Sequence, residues 1–375
     1  MKKTIIYLVT IALSCLFVFG LGTYLRNDVN VFSDHETKYT KVQVTAIKTG
    51  EVSASSSADS SLDARIIYFK AKAIGIGAER KTLSCMQLHD DSIYTKYKVV
   101  EVGDKILVTP SADTNGNSVW SFVNFYRSTA LVVSGIILCL LVLLFGKVSG
   151  LNALISLGFT ILSVFSVFVP AILSGRNVYL WALITAMFIV SMTLILVNGW
   201  NKKSLTAAIG CAGGLASSGL VLYIMDFFLN ITGVVDEQSI YLTLLDTENP
   251  LDLKAIVYGA MILGAIGAIM DVAVNIASSL YEIRQHNPDI SGYKILRSGI
   301  NIGRDIMGTM MNTLILAYVG GSLSLVLILY VYFSNTPMHL FNTEMIVVEV
   351  LQSLVGSLGL ILTIPLTSYV SSLLY

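Results

Sequence analysis

The chain has 375 residues, 54% of them hydrophobic and 13% charged, with a mean hydropathy of +0.74. A soluble domain carries roughly 25% charged residues, so this composition excludes an ordinary soluble globule. The formal net charge is zero, which leaves no electrostatic case for nucleic acid as a partner. Cys15, Cys85, Cys139 and Cys211 are scattered, with no CxxC pair and no Cys/His cluster. That spacing implies neither a disulfide framework nor a zinc site, and no metal or other cofactor is expected.

The first apolar span runs from Thr4 to Gly22 behind Lys2 and Lys3. It is long enough to cross a bilayer and shows no convincing small-x-small cleavage site, so residues 1–24 read as an uncleaved anchor with a cytoplasmic N-terminus. Residues 25–127 differ in kind: they hold 13 of the 24 Lys and Arg and 12 of the 24 Asp and Glu. Alternating runs at 41–47, 64–74, 97–102 and 105–110 predict strands, Gly103-Asp104 a turn, and Ser53 to Ser61 a loop. The predicted product is a small extracytoplasmic β-barrel-like domain. It either engages a ligand or partner or caps the membrane domain, because no motif inside it carries chemistry.

Residues 128–375 read as a seven-span membrane domain, with spans near 129–146, 152–173, 177–198, 205–229, 255–281, 305–333 and 345–371. Assigned cytoplasmic loops hold Lys147, Lys202, Lys203, Arg284, Lys294, Arg297 and Arg304, whereas short outer loops hold Arg176 and Lys254. The loop from Ile231 to Lys254 is acidic and falls outside. This bias fits about eight spans with both termini inside. The fold class is therefore mainly α, a polytopic transmembrane helical bundle with one small outer barrel. Gly210, Gly214 and Ser218, and likewise Gly264 and Ala268, recur every four residues as helix-packing signals. Pro170 and Pro365 lie inside spans as candidate kinks.

The chemistry-bearing pattern lies on two consecutive helices. Leu263 to Ile283 places Asp271, Asn275, Ser278 and Glu282 on one helical face. The next segment places Asn301, Asp305, Gly308 and Asn312 at the same spacing. The simplest arrangement turns the two faces toward each other. A carboxyl group inside an apolar span is expected to be buried in the bundle and is a functional-site hypothesis by default. Asp271 either binds a proton or cation or makes a static ion pair with Arg304, and both readings stand at this point. Arg304 reads as a topological anchor near the cytoplasmic boundary or as that counter-charge. Glu282 reads as a solvated helix end, and Asp226 and Glu349 as carboxylates near the outer interface.

The segments GAIMDVAVNIASSLYEI (267–283), Asn287-Pro288 and SGINIGRDIMGTMMNTLILAYVGGSL (298–323) closely resemble the YibE/F family of bacterial membrane proteins. The anchor, the outer β-rich domain with VGDKILV (102–108) and the multi-span region match the same layout. The family brings no assigned biochemical function. A weaker, fold-level resemblance links the order of these helices to SecD/SecF and RND-type permeases, in which a membrane carboxylate takes part in proton coupling. By that resemblance Asp271 is the coupling candidate.

Two functions compete. In the first, a secondary, proton-coupled transporter or export factor uses Asp271, with Asn275, Ser278, Asn301, Arg304, Asp305 and Asn312 lining the path. In the second, a non-transporting assembly or scaffold subunit uses the same residues as interhelical glue against another copy or a related membrane chain. Enzyme activity is not expected: there is no Walker A motif, no HExxH, and no GxGD around Asp226 or Asp271.

Overall fold

The computed structural model describes residues 2–29, 39–53, 64–74, 82–90, 98–112, 118–244, 250–333 and 336–375. Most of the Ser-rich stretch, and Asp246 and Glu248 of the acidic loop, lie outside the described residues. The chain divides into two compact units, Ser33–Leu141 and the combination of Met1–Phe32 with Val142–Tyr375.

The first unit is built on five strands: β1 (Thr40–Ser53), β2 (Ala64–Ala73), β3 (Thr82–Asp90), β4 (Lys105–Ala112) and β5 (Ser118–Phe125). They close in the order β1-β2-β3-β5-β4, with only the β3–β5 pair parallel. This is the order of an OB-type barrel. Its interior is Val42, Val44, Phe69, Ala71, Cys85, Val100, Ile106 and Val108. Closure leaves no free sheet edge. Three of the four expected strands form, and Gly103-Asp104 is a turn with Gly103 at φ 101°.

The fourth expected strand, at 97–102, does not form over its described residues. There the backbone bonds a side chain instead of a ladder. Gln87, buried on β3, accepts from the Val100 N–H at 3.0 Å and donates to the Lys98 carbonyl at 3.2 Å, while Asp104 accepts from the Glu101 N–H at 3.0 Å.

The helices are α1 (Lys2–Cys15), α2 (Gly22–Asn27), α3 (Ser128–Ser163), α4 (Val169–Leu173), α5 (Val178–Asn198), α6 (Lys202–Leu229), α7 (Glu237–Thr243), α8 (Leu253–His286), α9 (Gly292–Gly321), α10 (Leu323–Phe333), α11 (Pro337–Leu340) and α12 (Glu344–Leu374). π-Helical turns, Leu16–Leu21 and Val164–Phe168, join α1 to α2 and α3 to α4. Among the described residues six helical stretches are long and apolar enough to cross a membrane, or seven if α9 and α10 count as one bent span. α3 is broken at Lys147 (φ 47°, ψ −125°), where the chain turns so tightly that Gly150 sits on the Val142 carbonyl.

The expected span at 305–333 is replaced by α9, which begins 13 residues earlier, and by α10 beyond a 66° bend. Lys294, Arg297 and Arg304 are therefore helical and not in a loop. The reason is steric as much as hydropathic. Gly299 and Gly303 let this early stretch of α9 lie directly on Ser368 and Ile364 of α12.

α12 is the centre of the larger unit. On one side Gly214 of α6 faces Thr363 and Gly359, and Gly359 faces Ser218, so backbones approach to van der Waals distance. The Gly210, Gly214, Ser218 pattern is thus a packing face. On another side Val272, Ile276 and Leu280 of α8, Ile295 of α9, and Leu360 and Ile364 of α12 form one apolar cluster. A second cluster joins α5, α6 and α8 through Ile189, Leu194, Cys211, Leu215 and Ile269. Pro365 does not break α12, and the nearby Thr363, Ser368 and Ser371 hydroxyls donate to carbonyls four residues back.

The polar groups also show which helix ends share a level. At one end Tyr7 donates to Asn152 (3.0 Å), Lys202 to the Leu374 carbonyl (3.0 Å) and Tyr375 to the Ala277 carbonyl (3.1 Å). At the other, Arg176 pairs with Asp28 (2.9 Å) and Lys254 with Asp226 (2.7 Å), and Glu344 accepts from the Thr232 and Gly233 N–H groups (2.8 and 2.7 Å).

Candidate functional site

α8 and α9 form a hairpin around a short turn, residues 287–291. Each helix has an apolar side and a polar side. On α8 the buried residues Ile269, Val272, Ala273, Ile276, Ala277 and Leu280 occupy the sector opposite Asp271. Asp271, Asn275 and Glu282 are exposed, and Ser278 is half-buried. On α9, Ile295, Gly299 and Gly303 are buried, while Asn301, Arg304, Asp305, Gly308 and Asn312 are exposed.

Two expectations about this constellation are overturned. Asp271 is not buried. The helix rotates its wide apolar sector into the bundle, where each buried side chain contributes roughly 1.5–3 kcal/mol. A carboxylate there has no cation to meet. Nor do the two polar faces turn toward each other. The hairpin closes through Val272, Ile276 and Leu280 against Ile295, Ile302, Ile306 and Met310, and this contact leaves both stripes outside.

Arg304 is not the counter-charge of Asp271 or Asp305 within the chain. The ion pairs among the described residues are Lys98–Asp104, Arg176–Asp28 and Lys254–Asp226. Arg304 lies within α9, which begins at Gly292. It lies roughly 18 Å along α9, and Asp271 lies roughly 22 Å from the equivalent end of α8, at 1.5 Å per residue. Asp271, Arg304 and Asp305 are therefore three charges at one level of an antiparallel pair, near the middle of both helices.

The polar character continues toward the far end. The Tyr318 hydroxyl would lie 3.1 Å from a β-carbon on Gly264, and the Gln352 amide nitrogen 3.5 Å from it. Tyr318 of α9 and Gln352 of α12 thus meet beside Gly264, and Glu349 of α12 is half-buried. Gly264 shares the exposed sector of Asp271, so α8, α9 and α12 all contribute to one polar band.

Asp226 belongs to a separate cluster. It accepts from the Tyr258 hydroxyl at 2.7 Å and pairs with Lys254. It is a structural tie between α6 and α8, with its partners one helix turn apart. Sequence reasoning placed Asp226 near a helix end but missed Tyr258 and Lys254. It also missed Glu344, whose carboxylate clamps the backbone at Thr232 and Gly233. The signal for Glu344 was its place in the first turn of α12, where a carboxylate opposes the helix dipole.

Outside the spans, the Arg176 guanidinium and the Cys85 thiol titrate away from their ordinary values. Hydrogen bonds to Tyr24 and Asp28 hold the Arg176 guanidinium above its usual range. Burial pushes the Cys85 thiol in the barrel up to about 12. Among the described residues no group of three or more His, Cys, Asp and Glu side chains is placed to hold a metal ion.

No curated protein and no solved structure matches the chain, and the expected likeness to SecD/SecF gains no support from these comparisons. The YibE/F-like protein family model matches residues 134–375, about two thirds of the chain, including the whole α8–α9 hairpin and α12. With its apolar helices and this match, the chain is a membrane protein of the YibE/F-like family.

Proposed function

We propose that this protein is a membrane assembly subunit whose polar α8–α9 face docks against another membrane chain. The carrying observation is that Asp271, Arg304 and Asp305 are exposed at mid-helix with no partner for their charges among the described residues. Facing lipid, a charged residue at a helix centre costs roughly 2.5–3.5 kcal/mol on insertion scales. Three of them supply a strong drive for cover by another polar surface. The face contains both signs of charge, several amides and small residues, which suits a close helix-to-helix contact.

In this reading the break at Lys147 separates two spans and α9–α10 is one bent span. That gives eight spans with both termini cytoplasmic and the barrel outside. Lys202, Lys203, Arg284, Lys294 and Arg297 at the end where α6 and α9 begin support the orientation. The partner is another copy or a related membrane chain, and no catalysis, nucleic acid or resident cofactor is involved.

A second reading has one observation in its favour, the ionisable Asp271 at span depth. Proton-coupled transport would use Asp271 along a wet path that is completed only when the face is covered.

The test is the size of the particle extracted in mild detergent, read by light scattering. The single chain is 40.6 kDa. An oligomeric particle that falls to a single chain in D271N/R304Q/D305N, with helical content retained, supports the assembly reading. A wild-type particle of one chain alone, or an unchanged oligomer in the triple variant, refutes it.

A further inference from the structure

Away from the α8–α9 face, three adjoining spaces meet around Ile195 of α5. One is a half-polar cavity of about 450 Å³ at the end where α5 gives way to α6. Its polar lining is Tyr7, Asn152, Asn198, Trp200, Asn201 and Tyr281. The other two are apolar grooves. One, about 520 Å³, runs between α1 and α5 past Leu13, Phe17 and Phe188. The other, about 480 Å³, runs along α5 and α6 past Leu194, Leu205 and Ala208 to Trp200 and Lys202. Ile195 borders all three, and Ser191 borders both grooves.

We propose that this arrangement binds one diacyl phospholipid with an anionic headgroup, the phosphate in the cavity and one tail in each groove. The hydrogen-bonding inventory points to an acceptor-rich ligand. Tyr7 donates to the Asn152 side-chain oxygen, which leaves the Asn152 amide NH2 to donate. Asn201 is committed: its oxygen caps α6 at the Ser204 N–H (2.8 Å), and its nitrogen donates to the Asn198 carbonyl (2.8 Å). The Tyr281 hydroxyl and the Trp200 indole N–H add further donors. Lys202 keeps ammonium protons beyond the one given to Leu374.

The N-terminus of the 28-residue helix α6 opens beside these groups and favours negative charge. Among the described residues no acidic side chain lines any of the three spaces, so none of them would hold a choline or ethanolamine cation. The apolar grooves select a lipid over a soluble phosphate. A Trp and a Lys at the mouth are the usual anchors at a bilayer interface.

The test is native mass spectrometry of the full chain in detergent, titrated separately with phosphatidylglycerol, phosphatidylcholine and soluble glycerol phosphate. The expected result is one phosphatidylglycerol per chain, held at least tenfold more tightly than phosphatidylcholine, with no competition by glycerol phosphate. Ser191→Phe, which sets a ring at the border shared by both grooves, and the pair Asn152→Leu with Lys202→Ala should each weaken retention at least tenfold. Equal retention of the two lipids overturns the proposal, as does full competition by glycerol phosphate or unchanged retention in Ser191→Phe. Where a variant fails to fold, tail-brominated phosphatidylglycerol replaces it. In protein carrying W120F and W181F, Trp200 emission should be quenched with saturation at one lipid per chain, and absence of saturable quenching overturns the proposal.

Discussion

Replacing Gly214 with Ala tests whether α12 is held by direct backbone contact. The new β-carbon would lie 2.0 Å from Thr363 Oγ1, 3.0 Å from Ile269 Cγ2 and 3.3 Å from the Gly359 carbonyl oxygen, against ordinary contact at 3.4–4 Å. Thr363 cannot rotate away freely, because its hydroxyl donates to the Gly359 carbonyl at 2.7 Å and rotation exchanges the oxygen for a methyl. α6 and α12 must then separate or the hydrogen bond must go, so the substitution should cost about 1–3 kcal/mol as overpacking. Thr363→Ala alone should cost about 1 kcal/mol for the lost bond and the small void. Combined, the second change makes room for the first, and the pair should be less destabilising than the sum by about 1–2 kcal/mol. Reversible unfolding in mixed micelles, followed by circular dichroism, measures all four corners of this cycle. A neutral Gly214→Ala, or a strictly additive double variant, would refute the close α6–α12 contact.

Cys85 should resist iodoacetamide at pH 8 in the folded protein and react after denaturation, because its thiol is raised from an ordinary value near 9 to about 12. The folded barrel thus keeps a proton that the unfolded chain releases, so this thiol has no effect on stability below about pH 9 and lowers it as pH rises from there toward 12. Rapid labelling at pH 8 would contradict the buried site. Glu344→Ala removes the acceptor for two backbone N–H groups and should cost about 1–3 kcal/mol locally. It should make the chain around residues 231–236 a new protease site, and an unchanged digestion pattern would argue against the clamp. Asp226→Asn keeps the Tyr258 hydrogen bond but loses the ion pair with Lys254. It should lower thermal stability by about 1 kcal/mol or less, since the pair is partly exposed. A loss of folding would contradict this.

Much of the architecture is legible in the residues, and the rest is hidden for identifiable reasons. β1, β2 and β4 announce themselves by alternation. β3 does not, because Gln87 points inward as a buried polar residue and breaks the pattern that marks a strand. The same side chain holds 98–100 out of the sheet, so one glutamine accounts for both a missed strand and an over-read one. The small residues of α6 read correctly as packing because close approach has few other uses. The start of α9 was hidden because Lys294, Arg297 and Arg304 depress local hydropathy, although Gly299 and Gly303 were there to be seated on α12.

For the functional face, periodicity shows which residues share a side of a helix but not what that side meets. Asp271 and Asn275 were grouped correctly. Their exposure follows from the competing sector of Val272, Ile276 and Leu280, which has the larger apolar area to bury. The single-level alignment of Asp271, Arg304 and Asp305 depends on where the α8–α9 turn falls, and that was set by Asn287-Pro288 and Ser291-Gly292.

The central claim is that the polar α8–α9 face is covered by another membrane chain. Spin labels at Asn275 and Asn312, in protein lacking its native cysteines and reconstituted in lipid, test it directly. Collision with oxygen reports lipid, and collision with a water-soluble nickel chelate reports water. Tyr223, exposed on α6, serves as the lipid-facing control. Low collision with both agents at Asn275 and Asn312, beside high oxygen collision at Tyr223, is the expected result. High nickel collision would replace the covered face with a water-filled path and favour transport. High oxygen collision at both sites would leave the face bare in lipid and contradict both readings.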